Sequence, residues 1–148
     1  MAKNYNPFQS GALLFPNKHK SDIQKYCKKD STQGKGARFI LNSPFDRIVD
    51  LWFLCVCTGV YFEEKKSLKG SYRFMEGSVL KENHEMIETL EIIAIAENND
   101  ENIINEANKM LEIVNQYAFA GIERIFKGLS GQSDNLWNLT DDLQKIVK

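Results

Sequence analysis

Cysteine, proline and histidine are scarce in this 148-residue chain, with three, three and two copies respectively. Three cysteines exclude a disulfide-stapled scaffold, and nine glycines with three prolines exclude collagen-like and mucin-like chains. A dominant charge sign is also missing: 19 Lys and Arg face 20 Asp and Glu, a net charge of −1. With 43% hydrophobic residues, that balance excludes disorder of the chain as a whole. Long apolar runs are absent. The most apolar stretch, Leu51 to Phe62, has 12 residues against the roughly 20 that span a bilayer. Asp50 and the Glu63-Glu64-Lys65-Lys66 run bound it closely, so it reads as a buried core helix and no membrane is expected. Met1 to Gly11 lacks the apolar centre of a secretory signal. The odd cysteine set, Cys27, Cys55 and Cys57, then fits a reducing cytoplasm.

What is present is helical. A flexible or extended arm is expected over residues 1–17, which hold Pro7, Gly11 and Pro16 and show no period. Residues 18–148 are expected to form a single helical domain, basic up to about residue 47. Ser21-Asp22-Ile23-Gln24 fits a capping box and predicts a short helix to about Lys29. Ser43-Pro44-Phe45-Asp46 predicts a helix start, and Gly59 its stop. A long central loop follows over Lys65 to Gly77, with one extended piece at Ser71 to Met75. Ser78 is expected to cap a helix whose apolar stripe runs through Met86, Ile87, Leu90, Ile93 and Ala94. Ile92 and Ile95 point off that stripe, so they need either central burial or a partner surface. A break at Asn98 to Glu101 precedes a long helix with Ile103, Leu111, Val114, Ala118, Ile122 and Ile125 on one face. Its small residues Ala107, Ala118 and Gly121 invite close approach of another helix. A last short helix is expected over Leu136 to Val147. The fold class is therefore mostly α: a single irregular bundle of about five helices, with Trp52, Leu90 and Leu111 in its core.

The neutral total conceals two unlike halves. Residues 1–47 carry nine basic and three acidic residues, a surplus of +6; the remainder carries 10 and 17, a deficit of −7. A basic segment can take an acidic partner such as nucleic acid, or dock on its own body. If nucleic acid binds, Lys18, Lys20, Lys25, Lys28, Lys29, Lys35 and Arg38 are the candidates to meet its phosphates.

Catalytic signatures do not emerge. Cys55 and Cys57 diverge by about 160° on a helix and cannot share one metal. His84 and Glu88 lie one helical turn apart, but no further Cys/His set completes a site, and a solvated acidic face explains them better. Ser31 to Arg38 has glycines and a lysine but not the phosphate-loop spacing, and reads as a basic loop. No Gly-x-Ser-x-Gly elbow is present, and the buried-looking cysteines Cys55 and Cys57 lack the basic neighbour that a nucleophile needs. Arg73, between Tyr72 and Phe74, can stack on a base, but pairing with a carboxylate of the long helices is favoured. No cofactor, no bound metal and no enzymatic activity are expected.

The segment Tyr117-Ala118-Phe119-Ala120-Gly121-Ile122 resembles the Tyr-Ala-x-x-Gly-Leu/Ile signature of small accessory proteins encoded beside bacterial DNA phosphorothioation (Dnd-type) modification and restriction genes. Asp46 to Gly59 is similar to that family's apolar helix, although Cys57-Thr58 stand where small alanines are usual. Tyr72-Arg73-Phe74 is similar to its central Arg segment, and the likeness covers about residues 38–128. The resemblance implies a non-enzymatic accessory of antiphage defence and brings no catalytic residues with it. Assembly with larger defence proteins or with itself is then expected, anchored at Ile92 and Ile95, with DNA contact through the basic N-terminal part. The alternatives are a sequence-independent nucleic-acid-binding adaptor and a small metal-dependent hydrolase using His84.

Overall fold

The structure, a computed structural model, describes residues 5–27 and 47–129. Among them are four α-helices: α1 (Lys20–Tyr26), α2 (Ile48–Tyr61), α3 (His84–Asn98) and α4 (Ala107–Leu129). One two-stranded antiparallel sheet pairs β1 (Ala12–Pro16) with β2 (Ser71–Glu76). Helix dominates, as the periodicities require. The starts expected at Ser43 and over Leu136 to Val147 lie outside the described residues, as does the Ser31 to Arg38 loop.

α4 is the central element. Ile113, Val114, Tyr117, Ala118, Phe119 and Ile122 are all buried, although they point to different sides of the helix. A helix covered all round is apolar nearly all round, and Tyr117 to Ile122 is. α2 lies against it, with Leu51, Trp52, Cys55 and Val56 fully buried. The two helices cross where both have a glycine. A β-carbon on Gly59 would lie 2.2 Å from the Tyr117 carbonyl oxygen, and one on Gly121 would lie 1.8 Å from that of Cys55. Only hydrogen fits at either position. The pairing runs backward along one helix as it runs forward along the other, so the crossing is antiparallel.

Gly59 is thus a contact residue and not the helix stop. α2 ends two residues later, where Glu63 takes the left-handed conformation, φ 55°. The Glu64 amide donates to the Gly59 carbonyl at 2.9 Å and the Glu63 amide to that of Val60 at 3.0 Å. That pair of bonds is a Schellman stop, here without the usual glycine. α3 also starts later than Ser78 suggests. Ser78 falls in a 3₁₀ turn, and the side chain of Asn83 accepts from the Met86 amide at 3.0 Å as the cap. α3 stops at Asn99, left-handed at φ 57°. Asp100 caps a further 3₁₀ turn, Glu101–Asn105, before α4 begins. At α1, His19 holds the cap position without a side-chain bond and Ser21 lies inside the helix, so the capping box does not form.

From residue 5 onward the expected arm is docked, through a turn over 7–10 and then β1. Phe8 is fully buried, and the Asn6 side-chain amide donates to the Gly77 carbonyl at 3.0 Å. β1 points Leu13 and Phe15 into the core, and Phe15 stacks on Phe74 at 4.6 Å between ring centres. The register slips between Leu13 and Leu14, which pair with Met75 and Arg73. Asn115, on α4, joins these layers. Its Oδ1 accepts from the Leu14 amide and from Trp52 Nε1, each at 3.0 Å, while its Nδ2 donates to the Ala12 carbonyl at 3.1 Å. Trp52, Leu90 and Leu111 are all buried, as expected from the sequence.

Candidate functional site

Residues 62–70 leave the Schellman stop and run along α4. The Lys66 amide donates to the Gln116 carbonyl at 3.1 Å, which fixes the segment to the helix. The Asn17 amide donates to the Gly70 carbonyl at 2.8 Å, which ties the same segment to the end of β1. Gly70 has φ +68°, a backbone state that favours glycine. These constraints frame a cleft of about 350 Å³ whose lining includes Pro16, Lys18, Lys66, Lys69, Phe119 and Glu123.

Glu123 is its electrostatic centre. The Lys18 ammonium lies 2.6 Å from its carboxylate, His19 Nε2 3.4 Å and the Lys66 ammonium 3.5 Å. The Lys18 hydrogen bond, with His19 and Lys66 adding to it, holds the Glu123 carboxyl down to about 2 against the cost of partial burial. Lys69 has no ion pair among the described residues. Three lysines therefore face one carboxylate, leaving a surplus of two positive charges around the cleft.

Neighbouring charges are tied more evenly. Arg124 grips Glu64 through two bonds of 2.8 Å and lies 3.7 Å over the Phe62 ring. Glu97 accepts from the Tyr117 hydroxyl at 2.5 Å and pairs with Lys65. The Lys65 bond, then the Tyr117 bond, lower the Glu97 carboxyl, while burial and Glu97 push the Tyr117 hydroxyl up to about 12. The thiols are similarly quiet. Burial raises Cys27 to about 12, Cys55 well above its ordinary value, and Cys57 above its own.

The expected basic residues are only partly on this site. Lys18 belongs to it. Lys20 is not in its lining; its ammonium lies 5.0 Å from the centre of the Tyr72 ring. Lys25 is in α1, but its side chain lies outside what is described, as do Lys28, Lys29, Lys35 and Arg38 altogether. Ile92 is 65% exposed on α3, whereas Ile95 packs partly against the core. Arg73 pairs with Glu76 of its own strand at 3.4 Å and not with a long helix. His84 is exposed at the start of α3, and among the described residues no three His, Cys, Asp or Glu side chains are grouped to hold a metal ion. No helix among them is long and apolar enough to cross a membrane.

Lys66, Lys69 and Glu123 were not singled out by the sequence. They sit in the acidic part of the chain, and only the fold sets two of its lysines beside Lys18. The four-residue spacing of Tyr117 and Gly121 did carry a signal, since it marks the face that meets α2.

No curated protein and no solved structure matches the chain. A family model does match, over residues 38–146, which include the α2–α4 crossing and the 62–70 segment. By that match, the chain belongs to the family described as DNA sulphur modification system-associated protein 4.

Proposed function

We propose that this protein is a non-enzymatic accessory of a bacterial DNA phosphorothioation and restriction system in antiphage defence, working by assembly with larger proteins of that system and by contact with DNA. The family match carries the reading, because the family is described by its association with a DNA sulphur modification system. Side-chain chemistry supports the non-enzymatic part. The carboxylates of Glu64, Glu97 and Glu123 are held ionised by cations, and burial keeps the thiols protonated. Groups in those states make poor general acids, weak bases and inert nucleophiles at neutral pH. Assembly is supported by Ile92, a large apolar side chain left 65% exposed beside Glu91, which accepts from the Tyr5 hydroxyl at 2.7 Å.

Co-purification tests the assembly. The tagged chain, produced with the proteins of its own modification locus, is expected to retain at least one of them, and Ile92→Asp to release it. A second reading, a sequence-independent nucleic-acid-binding adaptor, is favoured by the lysine-rimmed cleft. Steep salt dependence of DNA binding without any retained protein would favour it.

A further inference from the structure

We propose that the cleft among Lys18, Lys66, Lys69 and Glu123 is a seat for the phosphodiester backbone of a nucleic acid, with the Glu123 carboxylate occupying the anion position when the seat is empty. The inference rests on the DNA-contact part of the proposed function and gives it a place on the molecule.

Glu123 shows what the cleft holds. Its oxygens accept from Lys18 at 2.6 Å and stand 3.4 Å from His19 Nε2 and 3.5 Å from the Lys66 ammonium. An anionic oxygen among several N–H donors is also what a phosphate presents to a protein. The lining carries three lysines against one carboxylate, with Lys18 and Lys66 sharing Glu123 and Lys69 outside those pairs, so an entering phosphate meets an excess of cations. The rim is held in place by the bonds from Lys66 to Gln116 and from Asn17 to Gly70, and by the Lys69 amide, which donates to Ser67 Oγ at 3.3 Å. The backbone of the rim therefore needs little ordering on binding, which leaves only the lysine side chains to be fixed.

The surroundings favour a backbone over a small free anion. Lys18 and Lys66 are 65% and 53% exposed, so the cationic rim faces solvent and is open to a polymer. Lys20, two residues beyond Lys18 at the start of α1, is a further exposed cation. Lysine acts on phosphate as a point charge, so this contact fixes position and reads no sequence.

The test uses the full chain and a fluorescein-labelled duplex of about 20 base pairs, read by anisotropy over a salt series. Joint substitution Lys66→Ala and Lys69→Ala is expected to weaken binding about tenfold and to make the salt slope shallower by about two. Glu123→Gln, which removes the resident anion, is expected to tighten binding. The opposite sign separates the proposal from a general loss of fold, and Lys109→Ala, outside the cleft, is expected to change neither quantity. If wild-type protein binds but both cleft variants match it, DNA contact stands and this seat is wrong. If wild-type protein does not bind at low salt, the DNA-contact reading and the seat both fail. If poly-glutamate displaces the duplex at matched charge concentration, the seat takes acidic protein and the phosphodiester assignment is overturned.

Discussion

Gly59 and Gly121 are reciprocal contacts: each sits against the carbonyl of the residue four positions before the other, Tyr117 for Gly59 and Cys55 for Gly121. Substituting alanine at Gly121 places a methyl 1.8 Å from a backbone oxygen that cannot rotate away. The helices must part, and the whole α2–α4 interface opens with them. Gly121→Ala is expected to lower stability by about 3 kcal/mol or more, read by urea denaturation. A loss below about 1 kcal/mol would show that the helices slide apart freely.

Asn115 is the second point of dependence. Asn115→Ala removes three hydrogen bonds and leaves Trp52 Nε1 buried without its acceptor. The expected cost is about 3 kcal/mol. Trp52→Phe in the same chain removes the orphaned donor, so the double variant should lose less than the two single losses added. Strict additivity in a double-mutant cycle would show that the Trp52–Asn115 bond contributes nothing.

Glu63 closes α2 in a conformation that disfavours a side chain, φ 55°. Glu63→Gly is expected to stabilise the protein by about 1 kcal/mol through relief of that strain. Thermal unfolding checks it, and a destabilised variant would mean that the Glu63 side chain has a supporting role.

Glu123 gives the acid limb of stability its shape. Its carboxyl is lowered from 4.5 to about 2 in the folded protein, first by Lys18. Depression means the contribution is present above the unfolded value and is lost as pH falls toward the folded one. Wild-type stability should therefore decline between about pH 4.5 and 2, with Glu97 contributing in the same direction. Glu123→Gln should flatten part of that decline in urea titrations at a pH series. An unchanged slope would mean that the lysines do not hold the carboxylate in solution.

The helical body was legible because its signals are local. Leu111, Val114, Ala118 and Ile122 repeat at helical spacing, and Gly121 reads as a small residue on a contact face without knowledge of the partner, whereas Ile103, expected on the same helix, lies in the 3₁₀ turn before it. Asn115 was not legible. A polar residue in a helix, here one of the pair Asn115-Gln116, looks solvated until β1 and Trp52, which lie far away in sequence, are brought to it. β1 was hidden for the same reason: Ala12 to Pro16 has no clear alternation, and its partner strand begins at Ser71. The charge map of the sequence placed its surplus in residues 1–47. The cleft draws Lys66 and Lys69 from the other part, because the 62–70 segment is pinned between α4 and the end of β1. Helix stops were misplaced where a non-glycine residue, Glu63, takes the left-handed position.

Assembly with the larger proteins of the modification system is tested most directly by co-expressing the tagged chain with the other products of its locus. The mass of the purified species is then measured by light scattering, beside an Ile92→Asp variant. Ile92 is 65% exposed, so the variant should fold with stability within about 0.5 kcal/mol of wild type. The expected result is a stable complex of wild-type chain with at least one locus protein, and a free chain for Ile92→Asp. A wild-type chain that elutes as a lone monomer in the presence of every locus product would contradict it.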